Sequence, residues 1–275
     1  MKLTNNHYKL LVVDIDGTLL DKGGVVSTED KNALAGASDS GIQVSLSTGR
    51  VVQASLGIIN QLSLDGYHVF FDGALVSDPE KSEEVYVEPI SKELVRQTGE
   101  FAHLNGITLD FYSVTHYFIE RETWGSDIRR EFHGTQPTVV DITKLWQKER
   151  IIKATLTVSS PEERAKADSL YQQFRSSLRF SLTKTPTYPD VDFINVVALE
   201  ASKGKALETL ASHLGIALTE VIAIGDGAND VSLLSKAGLA IAMDNATDEL
   251  KTVADYVTLD VDHNGVAAAI NKLLL

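Results

Sequence analysis

Residues 10–24, LLVVDIDGTLLDKGG, carry an apolar run that ends in two carboxylates, Asp14 and Asp16, followed at once by Gly17 and Thr18. A carboxylate taken out of water is costly unless a cation or hydrogen bonds offset its charge. The pair therefore marks a strand end that serves chemistry as well as packing. The run itself, Leu10–Val13, is short and apolar throughout, the pattern of a parallel strand covered on both faces.

Outward from this strand, helical and extended patterns alternate. Ser27 opens a helix across STEDKNALAGASDSG, with Asp30 three residues on and Gly41 at its end. IQVSLST (42–48) reads as a strand, RVVQASLGIINQL (50–62) as a helix and YHVFF (67–71) as a strand. The end of the chain repeats the alternation: a helix over 202–215 closed by Gly215, strand VIAIGD, helix NDVSLLSKAG, strand LAIAM, helix ATDELKTVA, strand DYVTL and a terminal helix from Gly265. Short strands separated by helices predict an α/β fold with a doubly wound, Rossmann-like parallel sheet.

The middle reads differently. From about residue 83 the strands are longer, more polar and more aromatic: EEVYVEPI, ITLDFYS, HYFIER, RIIKATLTVS, LRFSLTKT and DFINVVA. Two helices, 91–106 and 160–177, each opened by a serine, lie among them. Half-polar strands facing two helices predict an α+β unit with a sheet covered on one side. The expected organisation is a core of residues 1–82 and 190–275, with 83–189 inserted as a separate domain.

Composition narrows the classes. The chain has 275 residues, 43% of them hydrophobic, and a net charge of −13. That charge speaks against a nucleic-acid partner held by a basic surface. There is no cysteine, which excludes disulfides, zinc–thiolate sites and a thiol nucleophile. No stretch approaches the length of a membrane span, and the first residues lack the apolar region of a secretory signal, so the reading is cytoplasmic. The sequon at Asn245 is then a chance match. Whether the protein is a monomer or a homo-oligomer is left open.

Ligands of open parallel sheets sit beyond the carboxyl ends of the strands. Asp14 and Asp16, the stretch STGR (Ser47–Arg50), and GDGAND (Gly225–Asp230) all follow strands, and Lys203 starts the helix that returns from the middle unit. Asp14, Asp16 and Asp226 offer oxygen ligands to a hard cation such as Mg²⁺. Thr48, Lys203 and backbone N–H groups at Gly17 and Asn229 could hold anionic oxygens. An aspartate can also attack phosphorus and form an aspartyl-phosphate, with a second acid protonating the leaving alcohol. Plainer readings exist for each. Thr48 could only cap the following helix. Lys203 could be an exposed lysine, with Lys205 in its role. Asp226 could be a turn residue, and Asp230 a helix-start acid favoured by the dipole. The histidines, His103, His116, His133 and His213 among them, lack metal-ligand spacing, and Tyr112, Tyr117, Phe118 and Trp124 read mainly as core.

DIDGTLL, STGR, SKGKAL and GDGANDVSLLSKAG resemble, in this order, the four motifs of the haloacid dehalogenase (HAD) superfamily of phosphohydrolases. LAIAMDNATDELKTVADYVT with NGVAAAI is similar to its Cof-type sugar-phosphatase branch, which carries a large α+β cap between the second and third motifs. The resemblance implies a Mg²⁺-dependent phosphatase of small phosphorylated metabolites. Asp14 would be the nucleophile and Asp16 the general acid and base. Thr48 and Lys203 would bind the phosphoryl group, with Gly17, Gly49, Asn229 and Asp72 near the substrate. Asp226 would ligate the metal beside the Asp14 side chain and the Asp16 carbonyl, with Asp230 behind it. Two positions depart from the pattern. FDGALV places Asp72 where relatives have an amide, and a carboxylate cannot donate as an amide does. MDNA places Asp244 where glycine is common. A phosphomutase of hexose phosphates and a receiver-like module phosphorylated on Asp14 are the competing functions. Haloacid dehalogenation fits less, because halide needs no second acid.

Overall fold

The computed structural model describes residues 7–21, 23–133, 136–185 and 188–273, so the reading of the first six residues lies outside the described ones. In chain order the elements begin β1 (Leu10–Asp14), α1 (Thr28–Asp39), β2 (Gln43–Ser47), α2 (Val52–Gln61), β3 (His68–Phe70), β4 (Leu75–Asp78) and β5 (Glu83–Val87). There follow α3 (Lys92–Leu104), β6 (Asp110–Tyr112), β7 (Tyr117–Ile119), α4 (Trp124–His133), β8 (Thr138–Val139), β9 (Lys153–Val158), α5 (Pro161–Phe174), β10 (Leu178–Thr185) and β11 (Tyr188–Ala198). The chain closes with α6 (Lys203–Leu214), β12 (Val221–Gly225), α7 (Val231–Leu234), β13 (Leu239–Ala242), α8 (Asp248–Val253), β14 (Tyr256–Val257) and α9 (Gly265–Leu273).

Two compact units result: residues 1–48, 57–86 and 202–275 in the first, 49–56 and 87–201 in the second. The first is built on an eight-stranded sheet in the order β14-β13-β12-β1-β2-β3-β4-β5. From β14 to β3 the neighbours run parallel, with β1 between β12 and β2. All five residues of β1 are buried, as its apolar run predicts. Leu11, Ile222, Ile224 and Ile241 meet Ala269 and Ile270 of α9 on one face. Val12 and Asp14 alternate to the other face, where α6 lies. Ser27 caps α1 by accepting from the Asp30 N–H, and the Asp30 carboxylate in turn accepts from Ala267 N at 2.7 Å, tying α1 to the first turn of α9.

The second unit has a six-stranded sheet, β10-β11-β9-β6-β7-β8. Ala154, Leu156 and Val158 of β9 pack with Val95 and Ala102 of α3 and with Ala167, Leu170 and Phe174 of α5. The helices thus cover one sheet face, and Ser91 and Ser160 cap them as the sequence leads one to expect. Thr155 and Thr157 alternate to the opposite face, where Arg129 of α4 donates to Thr157 Oγ1 and pairs with Asp110. Tyr112 and Tyr117 are buried on this face and Phe118 under the helices, whereas Trp124 is half exposed and donates to Glu163.

The structure differs from the sequence reading at four points. β5, read as part of the inserted unit, extends the sheet of the first unit. β11, cut at residue 189 in the sequence reading, pairs with both β10 and β9, which moves the second boundary to residue 201. The core sheet is also not wholly parallel, because β4 returns antiparallel to β3 through a tight turn. α4 and β8 are further elements that the sequence reading left out.

His68 on β3 supplies a pH-dependent element of stability. Its ring is buried and Nδ1 accepts the Leu46 N–H at 3.1 Å, so the neutral form is the one built in. Burial lowers its pKa to about 4, against the opposing pull of Asp78 and Asp65. A base with a depressed folded pKa contributes stability above its unfolded pKa, near 6.5, that is lost as pH falls towards the folded value. The expected contribution is about 3 kcal/mol, from roughly 1.4 kcal/mol per pKa unit. Urea midpoints at pH 7.5 and 4.5 should therefore fall further for the native chain than for His68→Asn. Equal falls in the two would remove His68 from this account.

Candidate active site

At the carboxyl end of β1 the chain leaves the sheet through a turn that only glycine suits. Gly17 has φ +84°, and a Cβ there would lie 2.3 Å from Asp226 Oδ2. The turn thereby brings the Asp14–Thr18 loop against the Asp226 loop. Thr18 Oγ1 donates to Asp226 Oδ1 at 2.7 Å, and Asn245 Nδ2 donates to the Gly17 carbonyl at 2.8 Å. The sequon residue Asn245 is thus a brace of this loop.

Lys203 is the centre of the site. Its side chain is buried, and Nζ lies 2.6 Å from both Asp14 Oδ1 and Asp230 Oδ1. The plainer reading of an exposed lysine is excluded, and Lys205 instead sits exposed near Glu208. Burial works against the ammonium, yet Asp14, Asp230 and Asp72 hold its pKa above the usual lysine range. Asp230 accepts from Lys203 with one oxygen and from the Asp226 and Gly227 N–H groups with the other. It therefore braces the loop that carries Asp226.

Asp14, Asp226 and Asp230 each place a carboxylate oxygen within 4.8 Å of the others. Burial pushes the Asp14 carboxyl well above the ordinary range; Lys203 opposes this, and the other carboxylates add to it. Burial likewise raises Asp226 to about 7, with Asp230 adding and Thr18 opposing. One ammonium is thus too little charge for this cluster, and a divalent cation with hard oxygen preference would reverse both shifts. The donor set fits Mg²⁺. Asp16 is exposed and its carboxylate stands outside the cluster.

Thr48 is fully buried after β2, its N–H donating to the Val69 carbonyl. Gly49 belongs with the second unit, where its carbonyl accepts from Lys153 Nζ at 2.7 Å. Asp72 sits in a strained turn. Phe71, Asp72 and Gly73 have φ of 54°, 56° and 92° in succession, and a left-handed Phe is a rare conformer. A Cβ on Gly73 would lie 2.2 Å from the Ser202 carbonyl, so this turn presses against the start of α6 that carries Lys203. Asp72 N donates to the Thr48 carbonyl, and its Oδ1 accepts from Asn229 Nδ2 at 2.9 Å. The carboxylate at position 72 is thereby matched to a donor on the Asp226 loop. Asp244, next to the brace Asn245, is exposed and paired with Lys251.

Most of the expected residues therefore converge. Asp14, Thr18, Lys203, Asp226, Asn229, Asp230 and Asp72 form one connected network in the first unit. Sequence reasoning assigned no role to Thr18, although it stood in the opening motif, or to Asn245. None of the four histidines singled out joins the network among the described residues. His213 stacks edge-on with Tyr67, His103 and His116 meet Glu120 and Thr115, and the side chain of His133 lies outside the described residues.

Comparison with known proteins agrees with this geometry. A family model for haloacid dehalogenase-like hydrolases matches residues 11–270. Phosphatase YwpJ of Bacillus subtilis is 31% identical over 97% of this chain and 100% of its own length. A 5-amino-6-(5-phospho-D-ribitylamino)uracil phosphatase of the same organism, YcsE, is 27% identical over 97% of this chain and 96% of its own. A haloacid dehalogenase-like hydrolase from Bacteroides thetaiotaomicron has a TM-score of 0.82 at 25% identity, covering 96% of this chain and 98% of that one.

Proposed function

The chain belongs to the haloacid dehalogenase-like hydrolases and is a phosphoric monoester hydrolase, and from that premise we propose that it cleaves small sugar-type phosphates through an aspartyl-phosphate on Asp14. The observation that carries this reading is the buried Lys203 ammonium bonded to Asp14 within a cluster of three carboxylates. No helix among the described residues is long and apolar enough to cross a membrane. The cytoplasm, where phosphorylated metabolites are held, is the compartment this activity implies.

An Asp14 oxygen attacks phosphorus in line with the ester bond. The ester P–O bond breaks, and the leaving alkoxide takes a proton from Asp16. A water then attacks the same phosphorus and loses a proton to the Asp16 carboxylate. The bond from Asp14 to phosphorus breaks, its electron pair returns to the carboxylate, and inorganic phosphate is released. Lys203 and Thr48 hold the equatorial oxygens, with backbone N–H groups of the Gly17 and Asn229 loops. Asp14 and Asp226 side chains and the Asp16 carbonyl would hold Mg²⁺, with Asp230 bracing from behind. When bound, Mg²⁺ supplies positive charge that lets anionic nucleophile and anionic phosphoryl group approach. Asp16, unlike Asp14, stands exposed, where proton exchange with solvent is open to it.

The substrate class rests on likeness alone: the relative YcsE is named for a ribityl phosphate ester, a polyol. A panel of sugar, polyol, nucleotide and cofactor phosphates tests it, with inorganic phosphate as the readout. Release from polyol or sugar esters is expected to drop at least about tenfold when EDTA removes the metal. Metal-independent release would sink the Mg²⁺ assignment. A rearranged ester without free phosphate would make the protein a phosphomutase.

A further inference from the structure

Ser47 ends β2 and lies in register with Asp14 at the end of β1. Residues paired across parallel strands point to the same face, so the Ser47 hydroxyl stands beside the Asp14 carboxylate on the side where Lys203 approaches. The side chain is fully buried, and Oγ has no hydrogen-bond partner among the described residues. Ser45, two residues earlier on the same face, shows how such a hydroxyl is ordinarily satisfied: it donates to the Tyr67 carbonyl at 2.9 Å. A buried hydroxyl without a partner lowers stability, and alanine at the same place would not. The hydroxyl therefore calls for a partner that arises during turnover.

We infer that Ser47 is a positioning residue for Asp14, whose hydroxyl donates to the Asp14 carboxylate as the aspartyl-phosphate is hydrolysed. The inference rests on the phosphatase reading above. In the resting site Lys203 holds Asp14 Oδ1, and Ser47 leaves the nucleophile undamped. In hydrolysis the water oxygen bonds to phosphorus, the phosphorus bond to Asp14 breaks and negative charge returns to the carboxylate. A donor that meets this returning charge stabilises the leaving carboxylate in the transition state, while a donor already engaged would have weakened the attack. Thr48, the next residue, is assigned to the phosphoryl oxygens, so the two adjacent hydroxyls divide the acyl phosphate between them.

The experiment compares the native chain, Ser47→Ala and Ser47→Thr with p-nitrophenyl phosphate and Mg²⁺, together with urea midpoints. Ser47→Ala is expected to lower kcat about tenfold, a change of one decade in the barrier factor. Because only the second step slows, KM should fall with it, kcat/KM should stay within about twofold, and a burst of p-nitrophenol should appear. The urea midpoint should hold or rise, and Ser47→Thr, which keeps the hydroxyl, should recover most of kcat. Full kcat in Ser47→Ala overturns the inference, as does a lower midpoint with activity falling in step, which marks a structural hydroxyl. Equal losses in the alanine and threonine variants overturn it too. If the native chain itself releases no phosphate from any ester, the phosphatase reading fails, and the inference with it.

Discussion

Replacing Asp14 by asparagine is expected to reduce phosphate release by about a thousandfold or more while leaving the protein folded. Removing the attacking group of a unit that acts together costs several decades in rate. Asparagine keeps the size of the side chain and an oxygen that can accept from Lys203. It removes a carboxyl whose charged form burial disfavours and which adds to the crowding at Asp226 and Asp230. The urea midpoint should accordingly hold or rise. Phosphate release and midpoint measured on one preparation decide the matter. A variant that keeps a tenth of native turnover would rule out the covalent route through Asp14. Loss of activity with loss of fold would leave Asp14 with a structural role.

Lys203→Met should have the largest effect on stability. It leaves the Asp14 and Asp230 carboxylates buried with no ammonium between them, both having been within 2.6 Å of Nζ. Removing one partner of a buried ion cluster typically costs about 3–5 kcal/mol, because the remaining charge stays buried. That is a large share of the roughly 5–15 kcal/mol that holds an ordinary domain folded. The pH dependence that the raised carboxyls give this cluster should also steepen. Carboxyls whose folded pKa is raised bind protons more readily folded than unfolded, so their burden eases as pH falls. Lys203→Met is expected to lose less of its midpoint at pH 5 than at pH 8, and Mg²⁺ should restore part of the loss at pH 8. Turnover should fall as well, since Lys203 is assigned to the phosphoryl group. An unaltered midpoint would show that the cluster adapts without the lysine.

Much of this protein was legible as sequence because its signals are local. The apolar run before Asp14 reads as a buried parallel strand, and it is one. Ser27, Ser91 and Ser160 cap helices, and Gly215 ends α6 in the left-handed conformation. Each of these depends on the backbone within a few residues. The carboxylates, Thr48 and Lys203 were recognisable for a related reason: they follow strands or start the helix after one, and a parallel sheet collects such positions at one edge.

Pairing was not local, and there the reading went astray. EEVYV has the half-polar character of a sheet with one covered face, and it does form such an edge, but on the core sheet. DFINVVA was read among the middle strands and pairs there with β10 and β9, but the boundary drawn at residue 189 cut it away from them. The four stretches of the site announce what chemistry is present; their distances come from registers that join β1 to β12 and to β2. Lys203 reaches Asp14 across 189 residues, Thr18 reaches Asp226 across 208, and Asn229 reaches Asp72 across 157. Ser47 beside Asp14 is a fact of register alone. The sequence determined which groups stand at the strand ends, since backbone preference and hydrophobic period act over a few residues. Only the tertiary structure decided which of those groups are partners, since contact between distant segments follows from strand order and packing.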